Sequence, residues 1–126
     1  MAALEGEALV VKAGGRRFAV PMDRIAEVRA YTPETPVPGT PWPIRGIVER
    51  NGAPVHVLDP VRRLFNASIS PGSRACFLFF HHVAGHGAAA MVVEEVEHIV
   101  EGVSSSDEVS LLDVDALFVM NGAEAP

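Results

Sequence analysis

The chain has one cysteine, one tryptophan and one tyrosine in 126 residues, and its basic residues group no more densely than the pairs Arg16-Arg17 and Arg62-Arg63. Each scarcity excludes something. A lone Cys76 cannot form an intramolecular disulfide, so packing must hold the fold, as suits a reducing cytosol. Ten Lys+Arg against 16 Asp+Glu give a net charge of −6. Nucleic acid and anionic membrane surfaces need clustered cations, and none are clustered here. No apolar run nears the ~20 residues of a membrane helix. The N-terminus has no basic region leading into an apolar stretch, so no secretory signal is evident. The expectation is a cytoplasmic protein without membrane insertion. Gly14-Gly15 lacks the Gly-Lys-Ser/Thr that would make a phosphate-binding loop.

What is present argues for a core. Hydrophobic residues make up 48% and mean hydropathy is +0.23, unlike a disordered chain. A chain of this length can bury roughly two-thirds of its unfolded surface, in one domain or two small joined subdomains.

The local signals are those of antiparallel strands. Gly14-Gly15 joins Leu4–Lys12 to Arg16–Met22 as a hairpin. Pro21 lacks a donor and places its strand at an edge or bulge. Ile25 and Val28, three apart, predict a twist or bulge rather than alternation. Tyr31 to Pro43 holds five prolines (Pro33, Pro36, Pro38, Pro41, Pro43), so it must be a stiff, extended arm. The arm is either a connector packed on the surface or a ligand for a proline-binding domain. Asn51-Gly52 is a type I′ hairpin signal between Ile44–Arg50 and Ala53–Leu58. Asp59 as N-cap and Pro60 at the first helical position predict a short helix over Pro60–Phe65. Residues 66–72 read as a linker. Arg74–His82 reads as a strand buried on both faces, and Ala88–Val93 as its return, its alanines lying under Phe77, Phe79 and Phe80.

The chain also repeats itself. Val20, Met22, Asp23, Ile25 and Val28 match Met91, Val93, Glu94, Val96 and Ile99 at an offset of 71, and Leu58-Asp59 matches Leu112-Asp113 at an offset of 54. The second unit is therefore 71 − 54 = 17 residues shorter. A repeated strand-and-turn unit builds two similar β-subdomains. A shortened second unit leaves an open sheet edge, which another chain could complete, for example by homodimerisation.

No catalytic set stands out, so the chain reads as a binding scaffold, not an enzyme, with no cofactor. His81, His82 and His86 form HHxxxH, which could hold zinc or copper. On a strand, however, His81 and His82 point to opposite faces. A small-ligand or metal-binding β-barrel using these three is the alternative function. Glu94, Glu95, Glu97 and His98 could suggest acid–base work, but fit exposed strand positions with Val93, Val96 and Ile99 inside. Asp59 and Asp113 are a carboxylate pair or, on local grounds, two helix caps. Ser104–Ser106 read as a loop, and Cys76 among apolar residues as an inert thiol. Trp42 and Tyr31 either anchor a partner or cover the barrel's open end.

Taken in order, VPMDRIAEV (20–28), TPWPIRG (40–46), the strand into LDPVRRL (58–64), MVVEEVEHI (91–99) and LLDVDAL (111–117) resemble the CheW-like family of bacterial chemotaxis adaptors. The likeness spans most of residues 8 to 119. It implies an all-β fold of two packed SH3-like barrels, the second curtailed, with one or two short helices. Residues 1–126 would form one CheW-like domain, with subdomain 1 near 14–66 and subdomain 2 near 72–120 plus the strand 4–12. The implied function is a non-catalytic scaffold in chemotaxis-type signal transduction, coupling methyl-accepting chemoreceptors to a CheA-type histidine kinase. By position, Ile25, Glu27 and Gly46 match residues the family uses near those contacts. Gly46 would let a partner backbone approach, having no side chain. Family members read Asn-Leu-Arg-Gly at the hairpin where this chain has Glu49-Arg50-Asn51-Gly52, so Arg50 is displaced by one residue. The expected partner surface is Ile25, Glu27, Gly46 and Arg50, with Trp42 as a further anchor.

Overall fold

Three hairpins and two sheet-switching corners generate the architecture of the computed structural model, which describes residues 3–104 and 108–119. Strands β1 (Ala3–Ala13) and β2 (Arg16–Pro21) turn on Gly14-Gly15, pairing Ala13 with Arg16. A 3-10 turn, Met22–Arg24, leads into β3 (Ile25–Ala30). The proline arm follows. Strands β4 (Ile44–Arg50) and β5 (Ala53–Leu58) then turn on Asn51 and Gly52, both at positive φ (54° and 80°), as a type I′ turn requires. Helix α1 spans Pro60–Phe65, capped by Asp59. Strands β6 (Cys76–Val83), β7 (Gly87–Val93), β8 (Glu95–Ser104) and β9 (Val109–Leu111) lead to α2 (Val114–Leu117).

The first sheet has the order β8-β1-β2-β9 and the second β3-β6-β7-β5-β4. The expected all-β fold of two packed subdomains holds, and the repeat explains the strand order. β2 crosses through the 3-10 turn from the first sheet to β3 in the second. β7 crosses at Glu94 from the second sheet to β8 in the first. β5 then pairs in parallel with β7 (Leu58↔Met91), as β9 pairs in parallel with β2 (Ala19↔Leu111). Each copy thus lends its last strand to the other's sheet. The expected subdomain boundary, residues 66–72, lies in the linker after α1, while both sheets draw strands from each side of it. Among the described residues only β4 has no counterpart, so the first sheet has four strands and the second five.

The bulges repeat as well. Ala26 is the extra residue where β3 pairs β6, and Glu97 where β8 pairs β1. A bulge inserts one residue and so turns a spacing of three into one shared face. That accounts for Ile25 with Val28, and for Val96 with Ile99. Yet Val28 is 44% and Ile99 53% exposed, against the expectation that Ile99 is buried. Both lie on the outermost strand of a sheet, where the face has no neighbour on one flank.

The main core lies between the sheets. Phe77, Leu78, Phe79 and Phe80 are all buried, so β6 is covered on both faces, as its unbroken apolar run implies. Phe79 lies opposite Ala90 and Phe80 opposite Ala89, the small residues making room for the rings. A fully buried ring of this kind contributes about 2 kcal/mol. The first sheet has a second, meagre cluster on its far side: Ala8, Ala19 and Val103.

Candidate partner-binding surface

β3 and β4 are the two outermost strands of the second sheet, and side chains join them. Arg50 Nε donates to Glu27 Oε1 at 2.9 Å, and Arg29 Nε to Glu27 Oε2 at 3.3 Å. Arg29 Nη1 also donates to the Glu49 carbonyl at 3.0 Å. Both guanidiniums lie over the Phe79 ring, at 4.4 and 5.7 Å from its centre. The hydrogen bond from Arg50, then that from Arg29, holds the Glu27 carboxyl below its usual range. Of the expected surface, Glu27 and Arg50 are therefore in direct contact. The one-residue displacement of the arginine does not separate them, because Arg50 ends β4 and its side chain reaches across the seam. Ile25 lies on the same strand opposite Phe80, half-buried against the core.

Gly46 and Trp42 are placed differently. A Cβ on Gly46 would overlap the carbonyl oxygen of Thr35. The backbone that approaches Gly46 is thus the chain's own proline arm. The arm pairs there through Thr35 N–H to the Ile47 carbonyl (2.9 Å) and Ile47 N–H to the Thr35 carbonyl (2.8 Å). Trp42 is half-buried against α1, with the Arg62 guanidinium 5.2 Å from its ring centre and Arg62 Nη1 donating to its carbonyl.

The histidines do not converge. His81 and His82 are exposed, while His86 packs on Phe118 with Nε2 2.8 Å from the Phe118 carbonyl oxygen. No cluster of three His, Cys, Asp or Glu able to hold a metal occurs among the described residues. The acidic run is used as struts. Glu97 pairs with Arg17 at 2.7 Å and Glu95 with Arg74 at 3.3 Å, and Glu94 Oε1 accepts from Gly15 N–H. Burial pushes the Cys76 thiol up.

Two polar networks escape a sequence reading. Asp59 is fully buried and accepts from the N–H groups of Val61 (2.8 Å), Arg62 (3.1 Å) and Ile69 (2.9 Å). It also pairs with Arg45 at 3.2 Å, and Arg45 pairs with Glu34 of the proline arm at 3.0 Å. This network pins the arm onto β4 and α1. The only sequence signal was charged residues set among prolines and aliphatics. The second network joins Arg24 to Asp115 at 2.8 Å, with Ala84 N–H donating to the same carboxylate and Arg24 to the His82 carbonyl. The Arg24 hydrogen bond, then that from Ala84, lowers the Asp115 pKa to about 2. Asp113, by contrast, is an exposed cap that accepts from Ala116 N–H at 3.1 Å.

A family model described as a CheW-like domain matches residues 7–117. Among solved structures, the chain is similar to the scaffolding protein TtCheW from Thermoanaerobacter tengcongensis. The two are 17% identical, the match covers 96% of this chain and 92% of that one, and the TM-score is 0.80. At that identity the likeness shows the fold. No curated protein matches the chain. No described helix is long and apolar enough to cross a membrane.

Proposed function

Because the chain belongs to the CheW-like family, we propose that it is a non-catalytic adaptor in bacterial chemotaxis-type signal transduction, coupling a methyl-accepting chemoreceptor to a CheA-type histidine kinase in the cytoplasm. The observation that carries the proposal to particular residues is the Glu27–Arg50 contact across the β3–β4 seam. It holds a carboxylate and a guanidinium beside exposed Val28 and half-buried Ile25, a small apolar patch with oriented charge. Such an arrangement suits a partner surface, where charge sets register and apolar area supplies affinity. Gly46 contributes indirectly by seating the arm, and Trp42 forms a separate patch with Arg62 against α1. The metal-binding alternative has no observation in its favour, since His86 is engaged with Phe118.

The test measures binding to the kinase regulatory domain and to a receptor cytoplasmic fragment. Glu27→Lys and Arg50→Glu should each weaken binding at least roughly tenfold. Thermal midpoints should stay within a few degrees, because an ion pair that water still reaches adds little to stability. The charge swap Glu27→Arg with Arg50→Glu rebuilds the internal pair but not the field a partner sees. Full recovery of binding in the swap would assign the pair a purely internal role. Unchanged binding in both single variants would remove this surface from the interface.

A further inference from the structure

The internal repeat shows what the first sheet is missing. In the second sheet, Glu27 and Arg29 on outermost β3 clasp β4. At the offset of 71, their counterparts on β8, outermost in the first sheet, are His98 and Val100. Among the described residues β4 has no counterpart there. In its place lies an open groove of about 640 Å³ between β8 and β9, with Val10, Arg17, His98, Val100 and Val103 among its lining residues. Behind it sits the meagre cluster of Ala8, Ala19 and Val103, with Val100 only half-buried against it. A sheet face with so few buried residues gains by being covered.

We propose that this slot receives an extended strand from another protein, lying in the gap between β9 and β8 that corresponds to the place of β4 between β5 and β3 in the second sheet, with apolar and basic residues in alternation. Alternation follows from strand geometry: successive side chains point to opposite faces. One set would enter the slot over Val10, Val100 and Val103. The other would meet the opposite face of β8, where exposed Glu101 stands in register with exposed Glu7 of β1. Like charges directly opposite destabilise a pair of strands, and a lysine or arginine beside them relieves this. A second copy of the chain is a poor donor, because every described strand already belongs to a sheet. The inference does not depend on the adaptor reading, and its test needs neither kinase nor receptor. Strand addition of this kind takes affinity from the main chain and specificity from alternate side-chain pockets.

The probe is a nine-residue synthetic peptide alternating valine and lysine, titrated into the ¹⁵N-labelled full chain. Saturable amide shifts should cluster at residues 98–104 and 17–19. A peptide alternating valine and glutamate should bind at least roughly tenfold more weakly. So should the valine–lysine peptide with Val100→Arg, which places a cation in the slot, and with Glu101→Lys, an exposed change that leaves the fold alone. No binding, shifts scattered elsewhere, or undiminished binding to both variants would overturn the proposal. Peptide-free association of the chain through the same residues, seen as a concentration-dependent mass, would also overturn it by assigning the slot to a second copy.

Discussion

Asp59→Asn should be nearly as damaging as Asp59→Ala, although asparagine is as good a helix cap as aspartate. The reason lies in what meets each oxygen. Oδ1 accepts from Val61 and Arg62 N–H groups, while Oδ2 accepts from Ile69 N–H at 2.9 Å and from Arg45 at 3.2 Å. An amide keeps the first oxygen but replaces the second with an NH₂ group, which meets two donors as a third. Arg45, with its side chain only 12% exposed, is left with Glu34 and the Ile69 carbonyl. Breaking a buried ion pair by removing one partner costs about 3–5 kcal/mol. Loss of a cap alone costs about 1 kcal/mol. The two overlap in one carboxylate, so about 4 kcal/mol is expected for Asp59→Ala and somewhat less for Asp59→Asn. Against a typical total of about 5–15 kcal/mol, that is a large fraction. Urea unfolding monitored by Trp42 fluorescence measures it, with a thermal midpoint lowered by about 15 °C as the companion reading. Asp113 is the internal control, an exposed cap for Ala116 N–H in the equivalent place of the repeat. Asp113→Ala should cost about 1 kcal/mol and Asp113→Asn almost nothing. If Asp59→Asn proved as mild as Asp113→Asn, the buried carboxylate would be a cap and no more, and the reasoning would fail.

Two further outcomes follow from the same geometry. Gly46→Ala should cost about 2–3 kcal/mol, as overpacking against backbone does, and should speed amide exchange at Thr35 and Ile47 as the arm lifts; unchanged exchange there would count against the close approach. The Asp115 pKa is lowered to about 2 from an ordinary value of 3.8, so its pairing with Arg24 stabilises fully above pH ~4 and is lost as pH falls through about 2. The difference in melting temperature between the parent chain and Asp115→Asn should accordingly be constant from pH 5 to 7 and close towards pH 2; a gap that persisted at pH 2 would refute the assignment.

The fold was legible because its signals are local or periodic. Asn51-Gly52 can hardly avoid a type I′ turn, Asp59-Pro60 starts a helix, and four consecutive apolar residues from Phe77 need cover on both faces. The repeat at offsets 71 and 54 is likewise written in the chain, as is the loss of 17 residues from its second half. The spacing of three at Ile25–Val28 even locates the bulge at Ala26. What the residues alone could not supply is which strand neighbours which. Strand pairing is set by contacts remote in sequence, and only the assembled sheets reveal that each copy lends its last strand to the other. The same holds for the candidate surface. Glu27 and Arg50 are 23 residues apart and meet because the second sheet brings its edge strands together. The role of Gly46 changed for a similar reason: a glycine announces that something approaches closely, but only the packed arm identifies it as Thr35. Charged residues were the least legible. A sequence records that Arg45, Glu34 and Asp59 are ionisable; only burial and the distances between them decide that they form the pin that holds the arm in place.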